Sequence, residues 1–113
     1  MSELARIEAS DLDAARLVRV SGEIDLSNVH DVTAAIGRAV TNDAAMVIVD
    51  LSETTYLDSA GIAMIFHLAE RLRYSRQELR LVVPTDAPIR AVLELTNLPR
   101  VIPVQDAITE APD

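Results

Sequence analysis

"AMVIVDLSETTYLDSAGIAMIF", Ala45 to Phe66, begins as one kind of element and ends as another. Its opening, "AMVIVDLS", is a β-branched apolar run of the sort found in a strand covered on both faces. Its close carries Ile62, Ile65 and Phe66, and the stripe continues through Ala69 and Leu72 at helical spacing. Arg71, Arg73 and Arg76 then gather where cations suit the negative end of a helix dipole. A strand running through an acidic loop into a helix is the building unit of a parallel α/β sheet.

The flanks extend that pattern. Upstream, "LARIEAS" alternates weakly, "DLDA" reads as a turn and "ARLVRVSG" alternates cleanly, which predicts a β-hairpin. "GEIDLSNV" ends the second strand, and Ser27 or Asn28 can cap a first helix carrying Val29, Val32, Ile36, Ala39 and Val40. Downstream, "ELRLVVP" predicts a short strand. "TDAPIRAVLEL" predicts a helix capped by Thr85 or Asp86, with Pro88 in its first turn and Ile89, Val92 and Leu93 buried. "LPRVIPV" suits a short edge strand, since two prolines would interrupt a central ladder. "QDAITEA" predicts a last helical turn or two, and "APD" a fraying end. The expected order is β-β-α-β-α-β-α-β-(α), an α/β domain with a mostly parallel sheet.

Composition narrows the function. The 113 residues suit one domain, with a core from about 4 to about 110. The net charge is -8, from 18 acidic against 10 basic side chains. Such a surface repels phosphate backbones and anionic lipid, so neither nucleic acid nor membrane is an expected partner. There is no cysteine, which excludes disulfides and thiolate metal sites. "MSELARIEAS" has neither a basic n-region nor an apolar h-region, and the longest apolar run, Ala44 to Val49, is far too short to span a bilayer. A cytoplasmic location is expected.

Loops at the carboxyl ends of parallel strands usually carry the site, and both "GEID" and "TTYLDSAG" fall there. Ser59 does not read as a nucleophile. A nucleophile elbow needs G-x-S-x-G, and Leu57-Asp58-Ser59-Ala60-Gly61 supplies only the following glycine. His67 lies eight residues further along the same helix, ~12 Å away at about 1.5 Å per residue, and His30 starts another helix. Asp25, Asp50 and Asp58 show no metal-ligand spacing, and Asp50 is read instead as ending a strand by accepting loop N–H groups. No nucleotide-binding glycine motif is present, and Tyr56, Phe66 and Tyr74 are too few for a base-stacking platform. No enzyme is expected, and no metal or cofactor.

The residues leave two readings of Ser59 open. It can cap the helix, or Asp58 can cap and leave the Ser59 hydroxyl displayed on the first turn. A phosphate added there would face free helix N–H groups and the positive dipole end. Gly61 would then let another backbone approach closely, with Ala60 keeping the surface small.

"VRVSGEIDLSNV", "VIVDLSETTYLDSAGIAMI" and "LELTNLPRVIPVQDAI" together resemble the STAS domain, and more narrowly a bacterial anti-sigma factor antagonist. The likeness runs from about Leu4 to about Glu110, and D-S-x-G is its most specific element. It implies a small sheet with helices largely on one side. It maps the phosphorylation site onto Ser59 and the acidic residue of the first loop onto Asp25, near the serine. It also implies an anti-sigma factor that is an ATP-dependent serine kinase, so that ATP and Mg²⁺ belong to the partner. In such a system the unphosphorylated antagonist frees a sigma factor, phosphorylation ends the binding, and a phosphatase restores it. Asp25, Asp58, Ser59, Ala60, Gly61 and Met64 are the expected docking residues. The sequence departs from the family at Ala60, where a second hydroxyl is common, and at Ala63, where a second glycine is common. Two rival expectations are a STAS module of another regulatory assembly and a small-ligand domain using the pocket between the two acidic loops.

Overall fold

Strands β1 (Ala5–Leu12) and β2 (Ala15–Ile24) form the expected antiparallel hairpin, with Leu12 opposite Ala15. Asp13 takes the turn at φ 55°, a left-handed conformation that Asp tolerates because its short side chain can bond locally. The computed structural model describes residues 4–108. After the hairpin come α1 (Val29–Ala39), β3 (Met46–Asp50), β4 (Thr54–Leu57), α2 (Ser59–Tyr74), β5 (Glu78–Val82), α3 (Arg90–Leu95), a 3₁₀ turn (Leu98–Arg100) and β6 (Val104–Gln105). The result is a single small α/β domain with a six-stranded sheet, ordered β1-β2-β3-β5-β6, with β4 also paired to β2. Only β1 with β2 is antiparallel; every other pair is parallel.

Alternation along the strands sets the layers. Val18, Val20, Val47, Val49, Leu79 and Leu81 join one core cluster with Val32 and Ile36 of α1, Ile62, Ile65 and Leu72 of α2, and Leu93 of α3. The helices therefore share one face of the sheet. Leu17, Ile48 and Val82 point to the other face, where Leu12, Ala15, Met46 and Ile108 pack against them. That second cluster explains why "AMVIVDLS" is apolar at consecutive positions. Asp50 closes β3 by accepting the Ser52 N–H at 2.9 Å, and it also pairs with Arg19 across the sheet at 3.0 Å.

Four expectations needed correction. β4 was read as part of the connection to α2. Its burial does not alternate, because the register shifts between Gly22 and Glu23 where it joins β2. Helix α3 begins at Arg90, with no side-chain cap, so neither Thr85 nor Asp86 caps it and Pro88 lies in the preceding turns. In "LPRVIPV", Leu98 to Arg100 form the 3₁₀ turn, and only Val104 continues into a strand. Of "QDAITEA", Gln105 is in β6 and Asp106 to Ile108 are not helical; the remainder lies outside the described residues.

Candidate functional site

β2 and β4 end side by side. Ile24 and Leu57 are register partners, and the Asp58 N–H donates to the Ile24 carbonyl at 3.3 Å. The loop leaving β2 (residues 25–28) and the start of α2 therefore emerge together. Asp58 joins them. Its Oδ1 accepts the N–H groups of Ala60 (2.9 Å) and Gly61 (3.1 Å), and its Oδ2 accepts the N–H of Leu26 at 3.1 Å. Of the two caps the sequence allowed, Asp58 is the one used.

Ser59 is consequently the first residue of α2, exposed, and its hydroxyl has no hydrogen bond among the described residues. One expectation changes here. The Ala60 and Gly61 N–H groups, which were to face a phosphate, are already held by Asp58, and the Ile62 N–H bonds the Asp58 carbonyl at 3.0 Å. A dianion on Ser59 would have a carboxylate beside it rather than an open nest of amides.

The first loop is folded on itself. Asp25 Oδ1 accepts from the Ser27 N–H (2.9 Å) and hydroxyl (2.6 Å), while Asn28 Oδ1 accepts the Asp25 N–H and Asn28 Nδ2 donates to the Glu23 carbonyl. Asn28 is the N-cap of α1 by position, yet its side chain ties the loop and makes no capping bond. The Ser27 hydroxyl holds the Asp25 carboxyl below its ordinary 3.8; burial opposes this, and the Ser27 and Asn28 N–H groups add to it. Glu23, Asp25, Asp31 and Asp58 give these loops a negative character, and no Lys or Arg lies between Gly22 and Asp31.

Two expected docking residues sit elsewhere. Met64 is 7% exposed and belongs to the core, not to the exposed side of α2; Ala63 occupies the outward position. Gly61 is buried, and a Cβ there would stand 2.4 Å from Leu57 Cδ1 and 3.3 Å from Ile24 Cγ2. Its missing side chain lets α2 seat on the strand ends, so the close approach is internal. Sequence reasoning missed Leu26, 74% exposed, and Tyr56, 50% exposed, each two or fewer residues from a site aspartate. The signal was present, since an apolar residue inside an acidic loop has no core to enter. His30 and His67 are exposed, on different helices. Among the described residues, no group of three or more His, Cys, Asp or Glu is placed to hold a metal ion.

The chain is thus a small α/β domain with its helices on one face of the sheet and an acidic two-loop surface that displays Ser59. The family model of the STAS domain matches residues 6–111, and the chain belongs to that family. It is 28% identical over 101 residues to the anti-sigma-B factor antagonist of Listeria monocytogenes, covering 88% of each protein. The crystal structure of an anti-sigma factor antagonist from Mycobacterium paratuberculosis aligns with a TM-score of 0.81 at 27% identity, covering 92% of this chain and 87% of that one. The unphosphorylated form of the anti-sigma factor antagonist SpoIIAA shares the fold, with a TM-score of 0.69 at 20% identity and coverage of 93% and 90%. The phosphorylated form of the Bacillus SpoIIAA does so as well, at 0.63 and 19%, with 93% of each chain covered. No helix among the described residues is long and apolar enough to cross a membrane.

Proposed function

We propose that this STAS domain is an anti-sigma factor antagonist working as a phospho-switch. Unmodified, it binds an anti-sigma factor and so frees a sigma factor; phosphorylation of Ser59 ends that binding. The observation that carries the reading is the Ser59 hydroxyl, exposed on the first turn of α2 and free of partners among the described residues, while Asp58 does the capping. The kinase is the anti-sigma factor itself and brings ATP and Mg²⁺. The Ser59 oxygen forms a bond to the γ-phosphorus, the bond to ADP breaks, and the hydroxyl proton passes to a base of the kinase. A phosphatase restores the serine. No catalytic residue is assigned to this chain, and the exchange takes place in the cytoplasm.

The contact surface is Asp25, Asp58, Ser59 and Ala60, with Leu26 and Tyr56 supplying the apolar area first expected of Met64. The relatives from Listeria and Mycobacterium support the class of partner. Thr54 and Thr55 are the nearest rival acceptors. Thr54 is 0% exposed with its hydroxyl donating to the Val20 carbonyl at 2.8 Å, and Thr55 donates to the Gly22 carbonyl. Intact-mass measurement after incubation with the cognate kinase and ATP tests the assignment. The unmodified chain should gain one phosphate and Ser59→Ala none; phosphate uptake by Ser59→Ala refutes it.

A further inference from the structure

Between α1 and α2, reaching past the end of α2 to Gln77, lies a cleft of about 230 Å³ that Ser59 does not line. Its floor is apolar, from Ile36, Met64 and Leu72, and its polar rim includes His67, Arg71 and Gln77. In a chain with 18 acidic side chains, no Asp or Glu lines it. Arg71 is in no ion pair among the described residues, and its Nη1 lies 3.9 Å from where a Gly37 Cβ would stand, so the guanidinium reaches across to α1.

Gln77 adds an independent observation. It is 7% exposed, and its Nε2 donates to the carbonyls of Thr41 and Ala44, both at 2.8 Å. Two carbonyl acceptors fix the amide orientation and use both N–H bonds. Oε1 is left with no donor among the described residues, yet it is not a sealed orphan, because no buried side-chain polar atom there lacks a partner. Oε1 thus keeps some exposed surface, and Gln77 is among the residues that line the cleft.

We propose that this cleft binds a small amphipathic carboxylate: an anion for Arg71, an apolar body for the floor, and room for one donor at Gln77 Oε1. At ~30 Å³ per water the volume holds about eight waters, which suits a ligand of about ten non-hydrogen atoms. The site is separate from the serine and needs no anti-sigma factor for its test.

The experiment is a titration of the full chain followed by amide NMR, using octanoate, 4-hydroxyphenylacetate, phenylacetate and, as the charge-reversed control, octylammonium. Saturable shifts should fall on Thr33 to Asn42 and Met64 to Gln77 with the carboxylates, and not with octylammonium. Arg71→Met, at an exposed position, should weaken octanoate about tenfold or more while the remaining spectrum is unchanged. The phenolic hydroxyl should tighten binding over phenylacetate by about fivefold through Gln77. The proposal is overturned if no carboxylate saturates by about 10 mM, if octylammonium binds equally, if Arg71→Met has no effect, or if the shifts centre on Ser59.

Discussion

Replacing Asp58 separates two jobs that one carboxylate performs. Oδ1 caps α2 through Ala60 and Gly61, and Oδ2 holds the first loop through the Leu26 N–H. In Asp58→Ala both are lost. The cap contributes about 1 kcal/mol. The Leu26 bond is exposed and its N–H can return to water, so it adds about 0.5–1 kcal/mol. The sum, about 1.5–2 kcal/mol, corresponds to a fall in Tm of roughly 6–8 °C for a domain of this size. In Asp58→Asn one oxygen still caps, since Asn is as good a cap as Asp, but the amide nitrogen cannot accept from Leu26. That variant should lose only about 0.5–1 kcal/mol and should show faster exchange at the Leu26 amide. Urea unfolding followed by circular dichroism gives the stabilities, and hydrogen exchange gives the loop. If Asp58→Asn is as damaging as Asp58→Ala, or if Asp58→Ala costs under about 0.5 kcal/mol, the division of labour is wrong.

Gly61→Ala should destabilise by about 1–2 kcal/mol, because overlap with Leu57 outweighs the gain of up to ~1 kcal/mol that Ala normally brings to a helix; equal or greater stability in urea would show that Leu57 yields freely. The Asp25 carboxyl should titrate below 3.8 by carbon-detected NMR, and Ser27→Ala should move it back upward. Since folding lowers this value, the contribution to stability is complete above 3.8 and lost as pH falls through the folded midpoint, so loop 25–28 should loosen only in that acidic window. Phosphorylation should weaken binding to the anti-sigma factor about a hundredfold, for ~2.7 kcal/mol of repulsion left after screening. Ser59→Asp, with one charge and less volume, should weaken it only in part, and Ser59→Ala should bind and never release; calorimetry at two salt concentrations reads all three, and full affinity of Ser59→Asp would remove local charge as the switch.

Periodicity made most of the scaffold legible. α1 and α2 each bury one stripe, β2 and β5 bury mainly alternate positions, and β3 is apolar throughout because both its faces are covered, so their patterns carry the tertiary answer. β4 was hidden for a physical reason: its own bulge at Thr55 breaks the two-residue period in a four-residue strand. The site was legible in position and not in wiring. Asp and Ser are equally good caps in isolation, and a long-range bond from Leu26 shows how Asp58 is held between both loops. Met64 was placed outward from its neighbours in sequence, although its packing among core side chains is set by the sheet beneath it. Gly61 was assigned to a partner because its own neighbours, Leu57 and Ile24, meet it only once β2 and β4 lie in register.

The strands of the sheet also end at different levels. β3 and β5 stop at Asp50 and Val82, level with Arg19 of β2, whereas β2 runs on beside β4 to Ile24. Those five further residues, from 20 to 24, amount to ~16 Å at about 3.3 Å per residue. The tips that bear Asp25 and Ser59 thus lie beyond the last paired residues of β3 and β5 along the strand direction. Ser59 is exposed at that end of the molecule, so a partner can reach its hydroxyl without local unfolding.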